Sequence, residues 1–276
     1  MTVGEALKAS TEFLAGKGVS SPRVDAEHLV AKALGVSRLD LYLQHDRELT
    51  EDELAQAREL VRRRGTREPL AYVLGEWGFR RLALATDPRA LIPRPETETV
   101  VERCLAHLAG IEEPEVLDVG VGSGAIALAI ADEHPGARVR AIDASPDALA
   151  LAAENAERTG LHVELVEHDL NAGLPGGPYD LVVSNPPYVL PGEIDSLEPE
   201  VRDWEPREAL VGRGVTEKLA AAAPAVLRPG GWLVLEVADG GAASAADALT
   251  ALGFQSVSRS LDLTERERVV EGRWES

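Results

Sequence analysis

The segment VLDVGVGSGAIALAIA, residues 116–131, decides the fold of this chain of 276 residues. Its opening VLDVG is typical of a short buried strand, and its second half is typical of a helix. Gly120, Gly122 and Gly124 lie between them. Glycine permits a sharp turn and the close approach of a ligand, and the start of a helix offers unpaired N–H groups. The segment therefore predicts a strand, a ligand-binding turn and a helix.

Strand and helix patterns alternate on both sides of this segment, beginning near Thr97. The predicted helices have the sequences TETVVERCLAHL, SPDALALAAENAERTG and TEKLAAAAPAVL. The predicted strands have the sequences VRAID, VELVEHD, LVVSN and WLVLEV, followed by two closing strands, FQSVSRS and ERVVEGR. Such alternation predicts an α/β fold with a mostly parallel sheet between helices and ligands at the C-terminal strand ends. The loops after Val119, Ile142 and Ser184 are therefore the candidate ligand loops.

The first part of the chain has a different pattern, because apolar residues recur at helical spacing over about the first 64 residues. In LTEDELAQARELVRRR, Thr50 is the expected N-cap and Glu53 completes a capping box. The pattern predicts a small helical domain. The following stretch FRRLALATDPRALIPRP has two short apolar runs about Asp87-Pro88, which predicts a β-hairpin with its turn there.

The net charge of −19 is confined to the C-terminal part of the chain. Residues 1–85 hold thirteen acidic and thirteen basic side chains, so the whole excess of negative charge follows them. A duplex-binding surface neutralises phosphates with Lys and Arg, so this charge disfavours nucleic acid as the substrate.

Other compositional features predict a cytoplasmic protein. No apolar run reaches the roughly 18 residues of a membrane span, and the N-terminus lacks a signal-peptide pattern. The single cysteine, Cys104, cannot form an internal disulfide, and its apolar helix predicts a small core residue. The six histidines share no metal-ligand spacing, so no metal is predicted.

A carboxylate follows the glycine turn at the spacing of an adenosine site. Asp143 ends the next predicted strand, where it can accept hydrogen bonds from ribose hydroxyls. The two features predict a cofactor that contains adenosine. Gly120, Gly122 and Ala125 also satisfy the G-x-G-x-x-A form of a dinucleotide site, so a nicotinamide cofactor stays open at this point.

The tetrapeptide Asn185-Pro186-Pro187-Tyr188 follows the predicted strand LVVSN. An amide or aromatic amine nitrogen is a poor nucleophile, because its lone pair is delocalised. The side-chain carbonyl of Asn185 and the backbone carbonyl of Pro186 can accept both hydrogens of one NH₂ group, and the prolines hold these acceptors rigid. Tyr188 would stack on the planar group. The tetrapeptide therefore predicts alkylation of an amino or amide nitrogen, with S-adenosylmethionine as the methyl donor.

The glycine turn and NPPY together resemble the S-adenosylmethionine-dependent amino-group methyltransferases, and further motifs resemble their HemK/PrmC branch, the release factor glutamine N5-methyltransferases. The most specific of these motifs is DPRALIPRPETE at 87–98, taken together with NPPY. The other matching segments are REPLAYVLGEWGF at 67–79, EVRDWEPREAL at 200–210, LRPGGWLVLEV at 227–237 and RVVEGR at 268–273.

The resemblance implies a seven-stranded, Rossmann-like class I methyltransferase domain over 96–276. It also implies a helical-bundle domain for substrate recognition over 1–78 and a β-hairpin linker over 79–95. The expected partner is the Gly-Gly-Gln (GGQ) loop of peptide chain release factors, methylated by a monomer. The expected catalytic residues are Asn185, Pro186 and Tyr188, with Pro187 as a further wall of the substrate pocket. The expected cofactor-binding residues are Asp118, Gly120, Val121, Gly122, Ser123, Gly124, Asp143, Asp169, Leu170 and Asn185.

Some positions depart from the family pattern. Arg80-Arg81 replaces an aromatic and a small residue, Glu265 stands where glycine is usual, and Leu170 stands where some members have an aromatic. VGRGVTEKL, residues 211–219, replaces a longer loop. None of these changes NPPY, so they are expected to affect the choice of partner more than the chemistry.

Two charged clusters carry less specific predictions. The arginines at 62–64 and 67 are interpreted as a solvated helix end, with docking of a partner as the alternative. The acids at 193–205 are interpreted as solubilising, with a lid as the alternative.

Other functions share the same motifs. N5-methylation of a ribosomal-protein glutamine and N6-methylation of adenine in nucleic acid would use the same NPPY acceptors. A non-enzymatic binding module that keeps only the fold is the least favoured alternative.

Overall fold

The computed structural model describes residues 1–212 and 214–276. Their contacts divide the chain into two compact units. The first unit comprises Met1–Glu76 and Leu197–Trp204, and the second comprises Trp77–Ser196 and Glu205–Ser276. The segment Leu197–Trp204 therefore belongs to the helical unit, although it follows NPPY in the chain. The expected domain bounds at 78 and 95 stay predictions.

The Met1–Glu76 part of the first unit is helical, as the sequence pattern predicted. Its helices are α1 (Val3–Gly16), α2 (Pro22–Leu34), α3 (Arg38–Leu43), α4 (Glu51–Gly65) and α5 (Leu70–Leu74). The predicted capping box of α4 is present, because Thr50 accepts from the backbone N–H of Glu53 and the Glu53 carboxylate accepts from that of Thr50. Leu14, Leu29 and Val61 are among the buried residues that form the core between these helices.

The sequence analysis interpreted the arginines at 62–64 and 67 as a solvated helix end. This interpretation was wrong for three of the four, which form ion pairs inside the unit. Arg62 is exposed and pairs with Glu59. By contrast, Arg64 is buried and bonds to Asp25 at 2.7 Å and to Glu200 at 2.7 Å. Two further pairs are formed by Arg63 with Glu68 and by Arg67 with Glu200. The acid at position 200 is thus a structural ion-pair partner and not a solubilising group.

A two-stranded sheet, β1 (Glu76–Phe79) and β2 (Leu82–Ala85), follows the helices. A hairpin was expected in this part of the chain, but its turn lies at Arg80-Arg81, so the predicted turn at Asp87-Pro88 and the predicted strand after it were wrong. Arg80 adopts a positive φ of 51°, and its guanidinium pairs with Glu133. Distant carboxylates therefore hold a turn that its own residues do not favour.

The second unit contains the predicted seven-stranded sheet, in the spatial order β5-β4-β3-β6-β7-β9-β8. Its strands are β3 (Glu115–Val119), β4 (Arg138–Asp143), β5 (Glu164–Glu167), β6 (Tyr179–Ser184), β7 (Leu227–Glu236), β8 (Gln255–Leu261) and β9 (Glu267–Arg273). The first five strands in this order run parallel, and β9 pairs antiparallel with both β7 and β8. In the turn before β9, Glu265 adopts a φ of 62°, in the left-handed region that favours glycine.

Helices cover the sheet, and two apolar clusters form its core. The helices of this unit are α6 (Thr97–Leu108), α7 (Ala125–Glu133), α8 (Pro146–Thr159), α10 (Arg207–Leu210), α11 (Val215–Ala222) and α12 (Ala242–Ala251). Helix α9 (Pro199–Arg202) lies between α8 and α10 in the chain but belongs to the first unit. Cys104 is fully buried in α6, as predicted. Among the described residues, no helix is long and apolar enough to cross a membrane.

Replacing Arg64 by Met is expected to lower the free energy of unfolding of the first unit by ~3 kcal/mol, because Asp25 and Glu200 would lose their buried counter-charge. Urea unfolding of the full chain, followed by hydrogen exchange of amides in α2 and α4, measures the change. The matched control is Arg62→Met, which removes an exposed pair and should have little effect. Equal effects of the two variants would contradict the structural role of Arg64.

Candidate functional site

A cavity of about 800 Å³ lies in the second unit, at the C-terminal ends of β3, β4 and β6. This volume is in the usual range for a small-molecule site. The three loops that the strand pattern indicated contribute to its wall. The predicted site residues that line it are Gly120, Val121, Gly122, Ser123, Asp143, Asp169, Leu170, Asn185, Pro186 and Pro187. Asp118, Gly124 and Tyr188 are not among the lining residues.

The glycine turn has the geometry of a ligand cradle. Gly120 and Gly122 have φ values of 80° and 54°, in the left-handed region that favours glycine. A Cβ atom at either position would meet no described atom within 4 Å, so both glycines face open space. The N–H groups of Gly120 and Val121 both donate to the carbonyl of Ile142, at 2.8 and 3.0 Å. The turn is thereby fastened to the end of β4.

Gly124 and Asp118 support the cradle from behind. A Cβ at Gly124 would lie 3.0 Å from Leu128 Cδ1 in α7 and 3.5 Å from Ala152 Cβ in α8, so this glycine leaves room for both side chains behind the turn. The Asp118 side chain is buried and accepts a hydrogen bond from the N–H of Ala127 at 3.1 Å. Burial raises the pKa of Asp118 to about 8. Both residues therefore act on the shape of the site.

Two carboxylates in the wall are already bound to backbone N–H groups. Asp143 Oδ2 accepts from Gly122 at 3.0 Å, and its Oδ1 accepts from Ser145 at 2.9 Å. Each of these oxygens retains acceptor capacity for a ligand. Asp169 Oδ1 accepts from the N–H of Asn171 at 2.7 Å, and this bond holds the pKa of Asp169 below its usual value. The arrangement suits a ligand that presents hydroxyl donors, as a ribose does.

The NPPY segment leaves β6 into the same cavity. The Asn185 Nδ2 group donates to Thr97 Oγ1 at 3.2 Å. Among the described residues, no hydrogen bond ends on Asn185 Oδ1 or on the Pro186 carbonyl. Tyr188 is half-buried, and burial raises the pKa of its hydroxyl. The two predicted acceptors are therefore free, while the amide nitrogen is held.

Sequence analysis missed two residues that hold Asn185. Thr97 is the first residue of α6, and its hydroxyl donates to Glu236 Oε2 at 2.6 Å. Glu236 ends β7 and is buried. Thr97 lies in the motif DPRALIPRPETE, and Glu236 lies in LRPGGWLVLEV. Neither motif indicates a contact between the two residues.

The LIPRP segment, residues 91–95, packs beside the site, since residues 91–94 line the same cavity. It is held there by Glu205, which accepts from Arg94 Nη2 at 2.5 Å and from the N–H of Ile92 at 3.2 Å. Burial raises the pKa of Glu205. The interpretation of this acid as solubilising was therefore wrong.

The short loop that follows α10 contacts the NPPY segment directly, and its effect on the choice of partner stays a prediction. Val211 forms a bridge with Val189, and the N–H of Gly212 donates to the Val189 carbonyl at 3.3 Å. A Cβ at Gly212 would overlap the carbonyl oxygen of Pro187. Arg213, within the same departure from the family pattern, lies outside the described residues.

The fold and the glycine-lined cavity define a class I methyltransferase. A 16S rRNA methyltransferase of T. thermophilus, in complex with AdoMet and guanosine, shares the fold with a TM-score of 0.53 and 20% identity, over 72% of this chain and 49% of that chain. Two family models match, described as "PrmC N-terminal domain" over residues 5–75 and "Methyltransferase small domain" over residues 99–197.

Full-length relatives define the family. The release factor glutamine methyltransferase of Geobacter sulfurreducens is 42% identical over 276 residues, which cover 99% of this chain and 96% of that protein. That of Deinococcus radiodurans is 43% identical over 277 residues, which cover 99% of each. The chain belongs to the family of release factor glutamine methyltransferases, so the nicotinamide alternative is set aside.

Replacing Gly212 by Ala is expected to lower the free energy of unfolding by ~1–3 kcal/mol, because the new methyl group must displace the Pro187 backbone. The matched control is Gly192→Ala, in the loop after NPPY, where a Cβ meets no described atom within 4 Å. Urea unfolding of both variants measures the difference. A Gly212→Ala protein as stable as the control would show that the close contact with Pro187 is not maintained.

Proposed function

We propose that this protein transfers a methyl group from S-adenosylmethionine to the side-chain amide nitrogen, N5, of the glutamine in the GGQ loop of peptide chain release factors. One observation carries the proposal. The Asn185 amide is held through its nitrogen, which leaves its oxygen and the neighbouring Pro186 carbonyl as free acceptors in the wall of the glycine-lined cavity. Two acceptors side by side match the two hydrogens of one primary amide.

The proposed cofactor site uses the predicted residues of the cavity wall. S-adenosylmethionine, when bound, supplies an activated methyl group. The open faces of Gly120 and Gly122 allow its close approach, and the Asp143 carboxylate accepts from its ribose hydroxyls. The apolar side chain of Leu170 offers a surface for its base. Asp118 and Gly124 contribute by holding α7 and the turn in place.

The site would activate the substrate amide through the positions of its two hydrogen-bond acceptors. Its nitrogen becomes nucleophilic only when the lone pair localises and the nitrogen turns tetrahedral. Asn185 Oδ1 and the Pro186 carbonyl would grip both N–H groups and stabilise the positive charge that develops on nitrogen. Pro186 and Pro187 restrict the backbone, so the acceptors need little reorganisation. The proton leaves the nitrogen after methyl transfer, so no strong base is required. Tyr188 would form one side of the pocket that holds the amide.

Charge favours a protein substrate over nucleic acid. The net charge of −19 lies wholly after residue 85, on the part of the chain that carries the cavity. Phosphates would be repelled there. We expect the protein to act as a monomer in the cytoplasm, with release factors as partners and without direct contact to nucleic acid.

Replacing Asp143 by Ala is expected to weaken S-adenosylmethionine binding by ~10-fold or more, because the ribose loses its acceptor and the Gly122 N–H loses its anchor. Calorimetric titration measures the affinity. The control variant is Asp132→Ala, which removes a carboxylate of α7 that does not line the cavity. Equal affinities would remove Asp143 from the cofactor site.

Incubation of the protein and S-adenosylmethionine with purified release factor is expected to add one methyl group to the glutamine of the GGQ peptide, as seen by mass analysis. Asn185→Ala should lower kcat by ~10²–10³, which is the usual cost of losing one transition-state partner. A release factor with that glutamine replaced by alanine is the substrate control.

Cofactor titration of Asn185→Ala shows whether the cavity remains intact in the variant. An unmodified release factor, despite cofactor binding by the wild-type protein, would overturn the proposal. The same assay would then be run on ribosomal proteins and on adenine in DNA, which are the other substrates of NPPY chemistry.

A further inference from the structure

A chain of two hydrogen bonds runs from Asn185 into the interior of the second unit. Asn185 Nδ2 donates to Thr97 Oγ1 at 3.2 Å, and the Thr97 hydroxyl donates to Glu236 Oε2 at 2.6 Å. Thr97 is 4% exposed and Glu236 is 1% exposed, so solvent does not compete for the bond between them. The chain joins the loop after β6, the start of α6 and the end of β7.

The direction of this chain fixes the orientation of the Asn185 amide. An ionised carboxylate only accepts hydrogen bonds, so the single hydroxyl proton of Thr97 must point to Glu236. The Thr97 oxygen is then an acceptor and requires a donor from Asn185. The Asn185 amide can adopt two orientations, which exchange the positions of Nδ2 and Oδ1. The directions of the hydrogen bonds select the orientation with Nδ2 towards Thr97. Asn185 Oδ1 is left as the free atom.

We propose that Thr97 and Glu236 are positioning residues that present Asn185 Oδ1 as an acceptor to the substrate amide. The inference rests on the proposed function and names two residues that this function does not require by itself. Their effect is also electronic, because a hydrogen-bonded chain that ends on a charge polarises each member. The amide oxygen thereby becomes a stronger acceptor for the N–H groups that gain positive charge during transfer.

The same chain predicts a dependence on pH. The groups that face Glu236 are Thr97, Glu96, Arg94, Arg268 and Tyr188. Burial, opposed by the Thr97 hydrogen bond and by Arg268, raises the pKa of Glu236 to about 7. A protonated Glu236 can donate to Thr97 Oγ1, so that the Thr97 proton turns towards Asn185. The amide then flips and presents its NH₂ group to the substrate NH₂ group, where two donors face each other.

Protonation of Glu236 is not expected to unfold the protein. The pKa of Glu236 is about 7 in the folded protein and 4.5 in the unfolded chain. Between these values the folded protein keeps a proton that the unfolded chain has lost, so protonation of Glu236 favours folding as the pH falls.

Kinetics of release factor methylation by the wild-type protein and by Thr97→Val, Thr97→Ser and Glu236→Gln test the inference. Thr97→Val keeps the shape but not the hydroxyl, and kcat is expected to fall by ~10–100-fold, with KM for S-adenosylmethionine little changed. Thr97→Ser restores the hydroxyl and should return kcat to within ~3-fold of wild type. In the wild type, kcat should fall below a midpoint near pH 7, and Glu236→Gln should abolish this step.

A second measurement does not depend on activity. The chain has three asparagines, Asn155, Asn171 and Asn185, so ¹⁵N-asparagine labelling gives three side-chain NH₂ groups to follow. The Asn185 signal is the one that disappears in Asn185→Ala. The Asn185 NH₂ signal should shift with a midpoint near pH 7 in the wild type and not in Glu236→Gln.

The outcomes separate the two proposals. A wild-type protein that binds cofactor but leaves release factor unmodified defeats the proposed function, while the amide titration still tests the chain. A wild-type protein that methylates, together with an unimpaired Thr97→Val and an Asn185 signal that does not titrate, defeats the positioning role alone. Loss of kcat in Thr97→Ser equal to that in Thr97→Val would also defeat it, because the hydroxyl would then not matter.

Discussion

The parallel register of the central strands is the constraint on which the site depends. Val119 lies opposite Ile142, and Ser184 lies opposite Leu235, so the loops after β3, β4 and β6 leave the sheet at one edge. The N–H groups of the glycine turn are then within reach of the Ile142 carbonyl and the Asp143 carboxylate. A shift of one residue would reverse the faces of a strand and remove the turn from both acceptors. Burial on both faces of the sheet makes such a shift costly.

Features whose cause is local could be predicted from the sequence, whereas features fixed by distant contacts could not. The capping box at Thr50 lies within four residues, and the glycines carry their own conformational preference. The turn at Arg80 has no such signal, because an arginine in the left-handed region is held there by Glu133, 53 residues later. The role of Glu205 was hidden for the same reason, since its partner Arg94 is 111 residues away.

In the candidate site, too, the features with a local cause could be predicted and those fixed by distant contacts could not. The NPPY motif indicated both acceptors, because a carbonyl and an amide oxygen are properties of the residues themselves. What holds the amide was not visible, since Thr97 is 88 residues from Asn185 and 139 residues from Glu236. The resemblance implied Asp118 as a cofactor-binding residue. Its carboxylate accepts a hydrogen bond from the N–H of Ala127 inside the unit, a contact that no motif in the sequence indicates.

The placement of charge suits the proposed reaction. The two acceptors for the substrate amide are neutral, and they gain most when positive charge appears on the nitrogen, so they favour the transition state over the bound substrate. A carboxylate in direct contact would attract a cationic cofactor and the ground-state amide as well. The Glu236 carboxyl lies one threonine behind Asn185, in a buried position where its ionised form can polarise the amide without binding either ligand. The same burial brings the pKa of Glu236 to about 7, so the strength of the acceptor is linked to a group that titrates in the physiological range.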